Sequence, residues 1–261
     1  MQGDDGDIAF PIPGPAGPAG PQGATGSGGT TDLRNGLYDF DDFTNGLPAT
    51  SAPTGGGKTI YASQNGGILS ASSAAGHLGV VNVDTGPNSN GYLRLQSVGA
   101  SVGLGYPLGS GDVEITWLFK TPSSLSSGTD RYSILAGVGD VIASTQNSVM
   151  FTYSDNINSG KPVVRVNVAG TNQTDVAGTT TIAASTWYRA RLVINAALTS
   201  ASLYLAVNGG AENLEATYTG SFPATSVLFG AWFGILKSAG TNNRSCLVDY
   251  WQLNYTLASQ R

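Results

Sequence analysis

Glycine recurs at every third residue in one stretch of the chain: Gly14, Gly17, Gly20, Gly23, Gly26 and Gly29. Pro15, Pro18 and Pro21 each follow one of the first three. Three left-handed polyproline-type chains wind together only where every third residue lacks a side chain, because the shared axis has no room for one. Proline presets the backbone and lowers the entropy lost on winding. Residues 14–31 therefore predict a short collagen-like triple-helical stalk and a homotrimer; the competing reading is a flexible Gly/Pro linker. At ~3.1 Å per residue the stalk would reach about 50 Å. So few triplets are marginally stable alone, so the flanking segments must share the work of holding three chains together.

Ahead of the repeat, Asp4, Asp5 and Asp7 precede Ile8, Ala9, Phe10, Pro11, Ile12 and Pro13. Residues 1–13 are too short to fold alone. Their apolar anchors Ile8, Phe10 and Ile12 suit docking onto another protein, with a frayed tail as the alternative. The stretch has neither a basic n-region nor an apolar h-region, so export through an ordinary signal peptide is not expected.

After residue 36 the pattern changes. Short apolar or alternating runs are separated by Gly, Asn, Ser and Pro clusters. They predict strands over 37–43, 59–62, 78–83, 92–96, 113–120, 132–138, 148–153, 163–168, 187–194, 201–207, 214–218, 227–234 and 246–255. Val113, Ile115, Trp117 and Phe119 alternate with Glu114, Thr116 and Leu118, which marks a half-buried strand. Arg189 and Arg191 likewise alternate with Tyr188, Ala190 and Leu192. No 12-residue window carries a helical stripe. The expectation is all-β: a two-sheet antiparallel jelly-roll sandwich over 36–261.

Composition removes several function classes. The 12 basic residues are scattered in a chain of net charge −5, whereas phosphate binding needs concentrated positive charge. Nucleic acid is therefore not an expected partner. The single cysteine, Cys246, excludes an intrachain disulfide and argues against a cysteine-based zinc site. No apolar run approaches the ~20 residues of a membrane-spanning helix, so membrane insertion is not expected.

Two resemblances add to this. Leu37-Tyr38-Asp39-Phe40-Asp41-Asp42-Phe43 and Leu247-Val248-Asp249-Tyr250-Trp251-Gln252-Leu253 resemble the first and last strands of concanavalin A-like or laminin G-like jelly rolls. Thr186-Trp187-Tyr188-Arg189-Ala190-Arg191-Leu192 and Ser202-Leu203-Tyr204-Leu205-Ala206-Val207-Asn208-Gly209 look like a strand pair of the same folds. The acidic start, the Phe10-Pro11-Ile12-Pro13 segment and the Gly-X-Y triplets resemble the attachment region of many bacteriophage virion proteins. That resemblance implies a trimeric tail or head fibre, or a spike, whose distal domain is often a glycan-binding sandwich.

Residues 52–59 match a loose phosphate-binding loop. Neither flank offers the strand-to-helix context that such a loop needs, so a Gly-rich surface loop accounts for them. His77 is the lone histidine, expected in a turn. It excludes a metal site built on histidines, and a Ser-His-Asp triad would lack the nucleophile elbow. Carboxylate pairs for glycoside hydrolysis are available as Glu114 with Asp112 or Glu212 with Glu215, though no signature selects one. Asp39, Asp41, Asp42 and Asp249 lie on the first and last of the expected strands; if the two pair, one early Asp could approach Asp249, with Asp41, Asp42 and Asp249 as the candidate ligands. Related sandwiches hold a structural Ca2+ through such hard oxygen ligands; the alternative is that these aspartates cap turns. For stacking against a sugar, Tyr106, Tyr132, Tyr153, Trp232 and Tyr255 are candidates near loops, while Trp117 and Trp187 look structural.

The expectation that unites these features is a non-enzymatic virion protein, assembled in the host cytoplasm. Residues 1–13 would dock to another virion protein, 14–31 would form the stalk, and 36–261 would carry host-surface glycan adhesion. A capsid head fibre or decoration protein without a receptor role, and a polysaccharide-degrading spike, are the alternatives.

Overall fold

A computed structural model describes residues 36–44, 46–49, 59–97, 105–140 and 146–257. The docking residues and the stalk glycines lie outside the described residues. Among the described residues, seventeen strands form two antiparallel sheets, and no α-helix occurs. The first sheet runs β15 (Asn213–Tyr218), β14 (Ala201–Val207), β13 (Trp187–Ile194), β7 (Gly111–Lys120), β17 (Ser245–Leu257), β4 (Val81–Asp84), β3 (Ile68–Ala71). β1 (Gly36–Asp41) lies against the far half of the long β17. The second runs β11 (Thr171–Asn172), β10 (Val163–Val168), β9 (Ser148–Tyr153), β8 (Tyr132–Gly139), β16 (Leu228–Lys237), β5 (Tyr92–Ser97), β2 (Thr59–Gln64). β12 (Val176–Ala177) joins β10, and β6 (Tyr106–Pro107) joins β16.

All thirteen expected strands are present, four with the expected bounds and nine with shifted ends. The sequence pattern misses β3, β6, β11 and β12. Three of these have two residues each, too few for a period of two to register. β3 follows the Asn65-Gly66 turn, where both residues have positive φ (52° and 91°). That turn passes the chain from one sheet to the other, so it is not the hairpin that Asn-Gly usually signals.

Alternation decides what enters the core. Val113, Ile115, Trp117 and Phe119 on β7 point between the sheets and are buried. They meet an aromatic layer: Trp117 lies 5.4 Å from Phe233 and 6.2 Å from Trp251, and Phe119 lies 5.6 Å from Phe151. Apolar burial of this kind, at about 25 cal/mol per Å2, is the main force holding the sheets together. Two of these indoles pair their N–H groups, while the buried Trp232 Nε1 has no partner among the described residues. Trp117 Nε1 donates to the Gly137 carbonyl at 3.2 Å, and Trp251 Nε1 donates to Thr59 Oγ1 at 2.9 Å.

One irregularity shapes the outer surface. β17 pairs with β7 in regular register except between Val248 and Tyr250, where Asp249 is an extra residue. This is a β-bulge, which shifts the inward–outward phase of a strand by one. Before it, Cys246 and Val248 face the core; after it, Trp251, Leu253 and Tyr255 do. Tyr250 is thereby left on the outer face of the first sheet.

Candidate functional site

That outer face carries a cleft of about 290 Å3, lined by His77, Leu118, Trp187, Arg189, Asn208, Gly209 and Tyr250. Four separate parts of the fold supply it: the turn before β4, the middle strands β7 and β13, the turn after β14, and the bulged β17. Leu118 is the outward residue of β7, opposite Arg189 and Tyr250 on its two neighbours. Trp187 opens β13, in phase with Arg189 and Arg191 on the outer face.

His77 sits in a turn closed by its N–H to the Ala74 carbonyl, as the sequence predicts. Its ring stacks on Trp187, centroids 3.9 Å apart and planes 17° from parallel. Its Nδ1 lies 2.7 Å from Asp249 Oδ2. The bulge residue therefore fixes the orientation of the imidazole, and the imidazole covers one side of the indole. Asn208 fixes the other end: its Oδ1 accepts the Trp187 N–H at 3.2 Å, and its own N–H donates to the Trp187 carbonyl at 2.9 Å. Asn208 and Gly209 both have positive φ (49° and 74°), the conformation that makes Asn-Gly the preferred two-residue hairpin turn. This turn, closed by the Gly210 N–H to the Val207 carbonyl at 2.9 Å, begins the five-residue connection from β14 to β15 and places Asn208 and Gly209 at the cleft.

Behind the cleft runs an ion network. Glu212 receives Arg189 Nε at 3.1 Å and Arg191 Nε at 3.0 Å. Arg191 reaches on to Glu114 at 3.1 Å and lies over the Tyr204 ring at 4.3 Å. Burial pushes the Tyr250 hydroxyl pKa up, against the pull of the neighbouring Arg189 cation. From Tyr250 a row of rings leads away across β1: Phe40 is 5.8 Å from Tyr250, and Tyr38 is 6.3 Å from Phe40. Tyr38 is 55% exposed.

Several expected site residues stand elsewhere. Tyr132, Tyr153, Trp232 and Tyr255 are all buried, at most 4% exposed, so none offers a ring face to a sugar. Each lies on a strand with its ring packed away from solvent, and proximity to a loop did not bring exposure. Tyr106 is half-buried, stacks on Tyr255 and donates to Asp39 at 3.3 Å. Burial, with that carboxylate beside it, pushes its hydroxyl pKa up to about 12. Trp117 is structural as expected; Trp187 is not in the core but at the cleft.

The expected calcium ligands are also differently employed. Asp41 accepts from Thr59 Oγ1 at 2.6 Å and the Phe43 N–H at 2.9 Å, Asp42 accepts from Thr44, and Asp249 holds His77. Among the described residues, no three His, Cys, Asp or Glu side chains converge as a metal site. The first and last strands do pair, Gly36 with Thr256 through Asp41 with Trp251. The bulge, however, aims Asp249 at His77. The carboxylate pairs are likewise separated by function. Asp112 accepts the Ala196 N–H, Glu114 and Glu212 bind arginines, and Glu215 is held by Thr179 and Thr180. Residues 51–58 lie outside the described residues; the segment after them is the strand β2, not a phosphate-binding helix.

A family described as the SO2946-like C-terminal domain matches residues 76–249. The chain belongs to this family. The matched stretch begins one residue before His77 and ends on Asp249, so it includes both members of that pair together with Trp187, Arg189 and Asn208. No curated protein sequence matches the chain. Among solved structures it is similar to a protein of unknown function, SO2946 from Shewanella oneidensis MR-1. Identity is 16%, with 87% of this chain and 89% of that one covered, at a TM-score of 0.63. It also resembles peanut lectin, at 11% identity over 87% of this chain and all of the lectin, TM-score 0.51. For lectin UEA-II complexed with galactose the values are 12%, 85% and 100%, TM-score 0.52. These likenesses show the fold: an all-β, two-sheet antiparallel sandwich of the legume lectin, concanavalin A-like kind.

Proposed function

We propose that this chain is the glycan-binding subunit of a homotrimeric bacteriophage fibre, and that the cleft between His77, Trp187 and Tyr250 is its sugar site. The observation that carries the binding role is the cleft itself. Sugars are held by an aromatic surface against their C–H faces and by amide, hydroxyl and guanidinium groups at their rims. The cleft brings Trp187 and Tyr250 together with Asn208, Arg189 and the Gly209 turn. All of them stand on sheet strands or a tight turn, so the site is preorganised and little entropy is lost on binding. The lectin-like fold is consistent with this use. The Gly-X-Y triplets and the apolar peptide 1–13 support the trimer and its attachment to a virion.

Binding rather than cleavage is proposed because the His77 ring is committed on one face to Trp187 and at Nδ1 to Asp249. A glycan array probed with the purified full chain tests the reading. Specific hits that Trp187→Ala removes support it. Silence on the array together with capsid binding by residues 1–13 favours a head fibre or decoration role. Release of reducing ends from host polysaccharide favours a degrading spike.

A further inference from the structure

Arg189 uses its guanidinium incompletely. Its Nε donates to Glu212 Oε1 at 3.1 Å. Among the described residues, no protein acceptor takes Nη1 or Nη2. Arg191, two residues on, is the contrast. Its Nε and Nη2 go to Glu212, its Nη1 goes to Glu114, and its cation covers Tyr204. Arg191 is thus consumed by the sheet, and Glu212, gripped by both arginines, serves as the rigid backing for Arg189.

The cleft wall has a second property. In a chain with 17 acidic residues and a net charge of −5, the seven residues lining the cleft include no carboxylate. Two acids bonded to lining residues are already occupied there, Glu212 by arginines and Asp249 by His77. The polar and aromatic residues left lining the cleft are Arg189, Asn208, Tyr250, His77 and Trp187. A planar guanidinium with two free terminal nitrogens matches a carboxylate in bidentate geometry.

We propose that the sugar residue in this cleft is an acidic one, whose carboxylate is held by Arg189 Nη1 and Nη2 while its ring lies against Trp187 and Tyr250. This rests on the glycan-binding reading above and names its ligand class. Glu212 is the positioning residue: it orients Arg189 without touching the ligand. The Arg189 side chain is 41% exposed, so a neutral sugar leaves its fork to water, and the preference for an acidic sugar comes from the charge-assisted pair that only a carboxylate adds.

The test uses the full-length protein and three matched probes. These are oligosaccharides containing uronic acid, the same oligosaccharides with the carboxyl reduced to the alcohol, and sulfated analogues, all titrated by calorimetry at constant salt. The carboxylated form is expected to bind about tenfold or more tightly than the reduced form, the range that a hydrogen-bonded charge provides. Arg189→Gln is expected to abolish that difference. Arg189→Lys, which keeps the charge and loses the fork, is expected to recover only part of it. Equal binding of carboxylated and reduced forms overturns the inference and leaves the glycan reading standing. Failure of all three probes to bind, in a protein that also fails on a broad array, removes both. Preference for the sulfated analogues overturns the carboxylate assignment. A melting temperature for each variant separates lost recognition from lost folding.

Discussion

Trp187 is held from three directions by residues that are remote in sequence. His77 covers its face, Asn208 exchanges two hydrogen bonds with its backbone, and β7 fixes its register opposite Lys120. Yet it is only half-buried, so its removal takes little from the core. Trp187→Ala is expected to weaken glycan binding by roughly 1–3 kcal/mol, by analogy with a nucleic-acid base stacked on an aromatic side chain, with a change in melting temperature of only a few degrees. Calorimetric titration beside a thermal melt reads both. Replacing Trp251 should do the opposite. Its indole is fully buried and anchors Thr59, which in turn bonds Asp41. Trp251→Ala is expected to cost about 3–5 kcal/mol and to unfold the sandwich before any question of binding arises.

At the scale of elements, the β17 bulge yields a prediction that depends only on the period of two. Deleting Asp249 leaves Val248, Tyr250 and Trp251 as consecutive residues facing in, out and in, which is regular alternation. Deleting Gln252 moves Leu253 and Tyr255 to the outer face. The Asp249 deletion is therefore expected to fold with a modest loss of melting temperature, while the Gln252 deletion is expected not to fold cooperatively. A second prediction concerns Glu215 on β15. Burial disfavours its charge, but hydrogen bonds from the Thr179 and Thr180 N–H and hydroxyl groups outweigh this, and its pKa lies below the ordinary carboxylate value. A depressed native pKa gives stability that is present above the unfolded-state pKa and lost as pH falls through the folded one. Glu215→Gln is therefore expected to be less stable than wild type at neutral pH, with the gap closing in acid, as measured by chemical denaturation at a series of pH values. These elements also show what the sequence makes legible. Spacing of two between Cys246 and Val248, three between Val248 and Trp251, then two again to Leu253 and Tyr255 is the signature of the bulge in the chain itself. Trp187 falls in phase with Arg189 and Arg191, which marks it as outward-facing. What no local pattern carries is the meeting of His77 with Asp249 across 172 residues, and it is this long-range pairing that builds the cleft. The same limit explains the buried tyrosines: period two says that a residue alternates, while the partner sheet decides which face is dry.

At the scale of the whole molecule, the argument concerns number. A cleft of about 290 Å3 takes about one or two sugar residues, and single sites of that size bind weakly. In the proposed trimer, three copies on one stalk would convert the second and third encounters into intramolecular ones, and avidity of that kind can exceed the single-site affinity by roughly 10^2–10^4 without any new contact. The Gly-X-Y stretch is where this can be broken without touching the sandwich. Gly20 stands third in the series of six, where a side chain would have to enter the crowded axis of a triple helix. Gly20→Val is expected to leave the melting of the β-domain and its monovalent affinity for a short oligosaccharide unchanged. It is also expected to reduce the trimer fraction in sedimentation and to lower retention on a glycan-coated surface by tenfold or more, the lower part of that avidity range. If the variant stays trimeric and is retained as well as wild type, the repeat acts as a linker and the jelly rolls themselves hold the trimer. If wild type itself sediments as a monomer, the avidity argument fails and the cleft must act alone.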